Sequence, residues 1–565
     1  MKQLVSLLLL MSFLFACTPE EPKKEEIVVQ PETKTYPKVI VEKEARVVSL
    51  TIEKHFTDWT DSTLMIVGSY ELEKSALLKP FYASRAYQLA WWNSTNLAVA
   101  DSKCEPCIDE LLDMIHHAHY YGLDSTWYDI NQIDKLLAAI MALDSGKYDF
   151  KALANVDLLM TNAYLHFATH LNQGVTDSVS AYGLERNRLD LDLPKYLAEA
   201  LDNSHIKKSL LDLQPKNSNY VLLQRSLEQF LTTHKLSDKK YVLPDPKEFE
   251  DSCRTEAINI LIDLQYLNDT TSKIKKKVKA AIKKFQKEHG LNIDGAIGKN
   301  TLAAFEKSTL ERYHQITVSL EKLRWEKPWE KNRLFVNIPK YILHLIQNDE
   351  TVKTHKIVVG NTKARTPQEI NSQVEYLVTF PFWHVPRGIA AKEILPHIKK
   401  DSTYLEAHHY ELMGKGWTPV DPKTVDWSKM TRSNFPYRIR QKGGTWNAVG
   451  LVKFIFPNEH FVYLHDTPSK NYFNTDLRAF SHGCLRLHKP MDFADYLLKV
   501  DSNSYTVDSV QTHIDNKNSR KMRFKKPLPI YVRYYTCEAD SDGNIYYFRD
   551  VYKLDEVIRK RLIKN

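Results

Sequence analysis

"YLHDTPSKNYFNTDLRAFSHGCLRL" runs from Tyr463 to Leu487. It opens at the end of an alternating β run: Phe461, Tyr463 and His465 share one face, Val462 and Leu464 the other. It closes on Ser481-His482-Gly483-Cys484 and a short apolar-basic segment. A cysteine attacks as thiolate, and a free thiol is mostly protonated near neutrality. It therefore needs a base within reach and donors for the oxyanion. His465 closes its strand nineteen positions before Cys484, and a strand end can aim an imidazole across a turn at the next element. Gly483 has no side chain, so the Cys484 N–H can approach a substrate carbonyl. His482 is nearer in sequence, but two residues before the sulfur its ring can point away. Arg478 and Arg486 flank the thiol, where cations favour thiolate and suit a substrate carboxylate. Tyr463, on the His465 face, is a candidate substrate contact. Asp466 follows His465 directly, faces the opposite side, and is not expected to orient the imidazole.

Working outward, short β-rich runs begin near residue 330: "RLFVNIPKYILHLI", "THKIVVGN", "VEYLVTFPFWHV" and "VGLVKFIFPNEHF". Residues 387–445 interrupt them with few strand signals and scattered Gly, Pro and Trp. A segment of that length inside a domain reads as a lid insertion. We assign a mostly-β catalytic domain to 330–510. A C-terminal extension, 511–565, includes a hairpin that turns at Asp542-Gly543.

Upstream the period changes. Residues 46–245 are mainly helical; Val156, Leu159, Ala163, Phe167 and Leu171 recur at helical steps, with Gly174 as a stop. This region reads as a scaffold domain without a catalytic constellation. Residues 250–310 form a smaller unit, with Val278, Ile282 and Phe285 on one apolar face and Leu302 and Phe305 on another. Its basic run, Lys275 to Lys287, reads most simply as a solvated helix face. "FQKEHGLNIDGAIGKNTLAAF" resembles the peptidoglycan-binding helical module at Phe285-Gln286, Gly290-Leu291, Asp294-Gly295, Gly298 and Thr301. The resemblance implies a small three-helix bundle that grips cell-wall glycan or stem peptide. The fold class is multidomain α+β.

The chain has 565 residues, 43% hydrophobic and 26% charged, with a formal charge of +8. That balance describes a folded protein with a mild affinity for acidic polymers. Zinc-finger spacing, RNA-binding signatures and a long basic arm are missing from the sequence, so nucleic acid is not the expected partner. Residues 1–16 have the shape of a signal peptide. "LFAC" resembles a bacterial lipobox with Cys17 as the lipidated residue. Residues 17–45, rich in Pro, Glu and Lys, form a solvated tether. The expected location is the periplasmic cell envelope, held to a membrane by the lipid. Cys104, Cys107, Cys253 and Cys537 allow two disulfides in three pairings, and Cys104-Glu-Pro-Cys107 reads as a local one. A zinc site with His116, His117 and His119 is disfavoured, because these lie on an amphipathic helical pattern with Leu112 and Ile115.

The stretch from Tyr463 to Leu487 is similar to the signature of L,D-transpeptidase catalytic domains: a His, a gap, then Ser/Thr-His-Gly-Cys. "VVGNTKARTP", "YLVTFPFWHVPRGIAAKEILP" and "NAVGLVKFIFPN" match the same family. With the helical region and the wall-binding module, the chain resembles the large, scaffold-bearing members. Arg486 stands where many relatives carry Asn. The resemblance implies Cys484 as nucleophile and His465 as general base and acid. Ser481 and His482 shape the pocket, and the Gly483 and Cys484 N–H groups hold the oxyanion. It implies 3→3 cross-linking of peptidoglycan stem peptides with release of D-alanine, without metal or cofactor. Alternatives are an L,D-carboxypeptidase, a cysteine wall hydrolase, or a non-catalytic wall-anchoring lipoprotein.

Overall fold

The computed structural model describes residues 42–59, 65–67, 70–92, 106–143, 149–176, 191–244, 250–269, 273–502 and 504–562. The signal segment, Cys17, most of the tether and Cys104 lie outside these residues. Helix Glu42–Asp58 begins within the stretch read as extended tether, because Val48, Ile52 and Phe56 bury one of its faces. Among the described residues of this region seven further α-helices follow it: Ser75–Ser84, Cys107–His116, Ile130–Met141, Phe150–Gln173, Leu193–Asp202, Ile206–Asp212 and Ser218–Thr233. A small hairpin, β1 (Met65–Val67) and β2 (Tyr70–Leu72), sits among them. Phe150–Gln173 is buried on nearly every face, as a helix at the centre of a bundle must be. The Asp149 side chain caps its start and Gly174, at φ +78°, ends it. Cys107 is disulfide-bonded. Cys537 is a buried free thiol, so no second disulfide forms through it.

Helices Glu250–Asp263, Lys275–Glu288 and Lys299–Phe305 pack around Ala257, Ile260, Val278, Ile282, Phe285 and Phe305. The Gln286 side chain is the hub of the loop that joins the last two. Its amide nitrogen donates to Asp294 Oδ1 (2.8 Å) and Ala296 O (2.9 Å), and its Oε1 accepts from Gly295 N (2.8 Å). The paired Phe-Gln and Asp-Gly of this motif are thus a structural device: the loop's polar groups are satisfied internally.

Helix Thr309–Arg324, unassigned in the sequence reading, is largely buried and contacts the helical region, the 250–305 bundle and the C-terminal segment. Glu321 accepts from the Val175 and Thr176 N–H groups of the helical region (2.7 and 2.8 Å). Lys322 pairs with Asp555 (2.7 Å), and Gln315 donates to Thr536 O and Phe548 O of the C-terminal segment. Just beyond the helix, Glu326 pairs with buried Arg533.

The mostly-β domain holds β3 (Arg333–Asn337), β4 (Ile342–Gln347), β5 (Glu350–Gly360), β6 (Ile370–Thr379), β7 (Trp383–His384), β8 (Tyr410–Met413) and β9 (Arg438–Gln441). It continues with β10 (Val452–Ile455), β11 (Leu464–His465), β12 (Ala479–Ser481), β13 (Leu485–Leu487) and β14 (Lys521–Arg533). The main sheet runs β12-β5-β13-β11-β10-β6-β14-β3-β4, and β4 also pairs with β5, so the ladder returns on itself. The sheet therefore extends past residue 510: β14 lies between β6 and β3, antiparallel to one and parallel to the other. The expected hairpin follows as β15 (Cys537–Ala539) and β16 (Ile545–Tyr547), with Gly543 at φ +83° in the turn.

The insertion is more ordered than its sequence suggests. Strands β7, β9 and β8 form their own sheet over a core of Val385, Ile394, Ile398, Leu405, Leu412 and Ile439. Its helical run passes from Arg387–Ile389 through a π turn, Ala390–Ile394, into Leu395–Lys400. Pro396 cannot donate to the carbonyl of Lys392, and a wider turn accommodates that missing bond.

Candidate active site

Three neighbouring strands place the site. Lys453 of β10 faces His465 of β11, and His465 faces Arg486 of β13, in register on one side of the sheet. Leu464, Leu485 and Leu487 point the other way into the core. One step back along the same face, the Leu485 N–H donates to Tyr463 O (3.0 Å), setting Tyr463 beside Cys484. Alternation together with the pairing of β11 and β13 thus brings Tyr463, His465, Cys484 and Arg486 to one surface, with Lys453 joining them. Only Leu464–His465 is strand; Phe461 has φ +55° and is 85% exposed, and its carbonyl lies 3.9 Å from Cys484 Sγ.

The His465 ring is buried, and its Nδ1 meets the main-chain oxygen of Asp466 at 2.5 Å. A carbonyl only accepts, so Nδ1 carries the proton and Nε2 presents a lone pair. Asp466 therefore does orient the imidazole, through its backbone. Its carboxylate is engaged elsewhere, with the Leu451 N–H (3.0 Å) and Lys470. Burial, with help from the Arg486 and Lys453 cations, pulls His465 down to about 4 and keeps it neutral near pH 7. Burial also pushes the Cys484 thiol up, opposed by hydrogen bonds from Tyr463 and by the Lys453 charge. The resting pair is a neutral thiol and a neutral imidazole.

The turn that carries Cys484 is braced from beneath. Ser481 is buried; its Oγ donates to Cys484 O (2.6 Å) and accepts from the Gly483 N–H (3.2 Å). The Gly483 N–H, expected at the oxyanion, is thereby turned inward. The Cys484 N–H has no acceptor among the described residues. Gly483 sits at φ +113°, a region that favours glycine. Thr366 Oγ1 donates to Gly483 O (2.7 Å) and accepts from the Gly360 N–H (2.8 Å). Tyr552, from the C-terminal segment, donates to Gly360 O (2.7 Å) and accepts from the Thr366 N–H (3.1 Å). Gly360 has no room for a Cβ, which would strike Ala364 O.

Other candidates take different places. Arg478 is buried, with its guanidinium spent on Ile357 O, Thr475 O and Tyr341 O; it ties loops together inside the fold. Arg486 lies over the Tyr472 ring, which stacks on Phe480. His482 is exposed and meets Glu393 of the insertion at 3.0 Å, so the insertion touches the Cys484 turn directly. The sequence reading missed Lys453, Thr366 and Glu393. Only Lys453 carried a usable signal, as the outward residue of the alternating "LVKFI". His116 and His117 contact Asp134 and Asp113 respectively. Among the described residues no cluster of three or more His, Cys, Asp or Glu could hold a metal ion.

Comparison with known proteins bears on the same residues. Residues 331–510 match a family model described as "L,D-transpeptidase catalytic domain", and 76–227 match one described as "Scaffold domain". Residues 254–305 match one described as "Putative peptidoglycan binding domain". Over 227 residues the chain is 33% identical to a Haemophilus influenzae protein named "Putative L,D-transpeptidase". That alignment covers 40% of this chain and 45% of the relative, so the chain spans less than half the length of the curated protein it matches.

Proposed function

From a chain that carries an L,D-transpeptidase catalytic domain, a peptidoglycan-binding domain and a scaffold domain, we propose a peptidoglycan L,D-transpeptidase that works through a Cys484 thioester. One observation carries the proposal: a neutral His465, locked in the tautomer that frees Nε2, shares a surface with the thiol. The donor is a tetrapeptide stem. His465 Nε2 takes the thiol proton as Cys484 Sγ attacks the carbonyl before the terminal D-alanine. The oxyanion meets the Cys484 N–H, while Lys453 and Arg486 hold negative charge near the site. The tetrahedral intermediate collapses, the C–N bond breaks, and His465 returns its proton to the departing amine. A side-chain amine of a neighbouring stem then attacks the thioester, giving a 3→3 cross-link and restoring the thiol. Water in place of that amine gives an L,D-carboxypeptidase.

His465 resists protonation, which matches base catalysis coupled to attack and not a resting thiolate–imidazolium pair. The insertion, tied to the turn by Glu393 and His482, acts as the lid. Lipid on Cys17 holds the enzyme to a membrane of the cell envelope, and the helical bundle of 250–305 holds it to the wall. No helix among the described residues is long and apolar enough to cross a membrane. Incubating the full chain with disaccharide-tetrapeptide and weighing the products tests the reading. Dimers lacking one D-alanine are expected, along with a carbapenem adduct on Cys484. Dimers made equally well by Cys484→Ala would place the nucleophile elsewhere.

A further inference from the structure

The insertion carries a concavity whose lining does not include the thiol. A cavity of about 400 Å³ opens between the helical run that starts at Arg387 and the segment Met430–Arg432. That volume falls in the range of about 300–1,000 Å³ usual for small-ligand sites. Leu395, Pro396 and Met430 supply apolar lining; Lys392, Lys399 and Arg432 supply three cations. All three cations are exposed, and among the described residues none of them makes an ion pair. Among the described residues their one side-chain hydrogen bond is from Lys399 Nζ to Ser428 O at 3.5 Å. The surroundings do not neutralise them: residues 383–446 hold eleven Lys or Arg against six Asp or Glu, against a net +8 for the entire chain. The insertion is thus itself net basic. The same helical run delivers Glu393 to His482, two residues before Cys484, so the groove and the nucleophile turn are mechanically joined.

We propose that this groove binds the carboxylates of the acceptor stem peptide. Unpaired cations on an apolar floor suit a short peptide of small apolar side chains that bears several carboxylates. The donor stem needs the thiol; the acceptor needs holding nearby while the thioester waits. Charge on the lid serves that second strand, and occupancy of the groove is communicated to the turn through the helical run. This assignment rests on the transpeptidase reading for its ligand, but binding can be measured without catalysis.

The test uses the full chain with Cys484→Ala, titrated with a tripeptide stem that has no D-alanine to release. The triple variant K392E/K399E/R432E should weaken binding at least tenfold. K415E/K423E, which reverses lid cations outside the groove, should leave binding within twofold. Amidating the stem's carboxylates should abolish the difference between parent and triple variant. With Cys484 restored, the dimer-to-tripeptide product ratio should fall at least tenfold in the triple variant at an unchanged melting temperature. Binding unaffected by K392E/K399E/R432E, or lost equally in K415E/K423E, overturns the groove. So does a loss that inorganic phosphate reproduces in the parent by competition while amidated stems bind normally. Groove binding that follows the charges in a protein that forms no dimers would sink the transpeptidase reading and leave the groove standing.

Discussion

Replacing Thr366 with valine removes one hydroxyl and almost no volume. The hydroxyl donates to Gly483 O and accepts from the Gly360 N–H, both at hydrogen-bond distance and away from solvent. Valine leaves two buried main-chain groups without partners, each worth about 1–3 kcal/mol. Partial relaxation puts the total near 3 kcal/mol, which in a domain of this size lowers the melting temperature by roughly 6–12 °C. The chemical consequence should be larger than the stability loss. Gly483 O anchors the turn that aims Cys484, and a displacement of about 1 Å at a reacting group costs on the order of a hundredfold in rate. The assay is the rate of Cys484 acylation by a carbapenem, followed by intact mass at a temperature where the variant is fully folded. Thr366→Ser keeps the hydroxyl and should acylate close to the parent rate. A valine variant that acylates within twofold of parent, or a serine variant as slow as valine, would refute the bracing argument.

Three further outcomes follow from the same geometry. Because His465 is held down to about 4, kcat/KM for acylation should persist as pH falls through 6 and drop only near pH 4; Arg486→Gln removes one cause and should move that limb upward. Half-buried Glu369 is raised to about 8, chiefly by desolvation, and the nearby Glu326 charge opposes the relief from Arg533 and Lys322. The folded state thus holds a proton that the unfolded chain releases near pH 4.5, and stability drains as pH rises from there to 8; Glu369→Gln should be about a few kcal/mol more stable than parent to denaturant at pH 9 and level with it at pH 4. Gln286→Ala orphans the Asp294–Ala296 loop in a unit too small to absorb the loss, so limited proteolysis should cut within residues 254–305 while carbapenem acylation continues.

Much of the fold was legible in local pattern. The alternation around Val462 and Leu464 identified the face that carries His465, and the apolar spacing of Val278, Ile282 and Phe285 identified a helix core. The hairpin at Asp542-Gly543 announced itself by its turn residues. These signals survive in one dimension because they arise between residues a few positions apart. Burial periodicity and left-handed glycines are properties of the local chain.

What the tertiary structure alone decided depends on pairings across long stretches of sequence. Lys453 meets His465 only because β10 and β11 lie antiparallel, and Arg486 meets it only because β13 adds in parallel. Arg478 looked like a substrate contact from its distance to Cys484 along the chain; three carbonyls, two of them more than a hundred residues away, claim it. Thr366 reaches the Cys484 turn and Tyr552 supports Thr366, from segments far apart in sequence, and β14 fills the middle of a sheet whose other strands were already written before residue 490. Sequence by itself named the thiol and the imidazole, since their motif is contiguous and their strand periodic. The tautomer, the bracing and the surrounding charge came from non-local contacts, whose identity depends on which strands the closed ladder sets side by side.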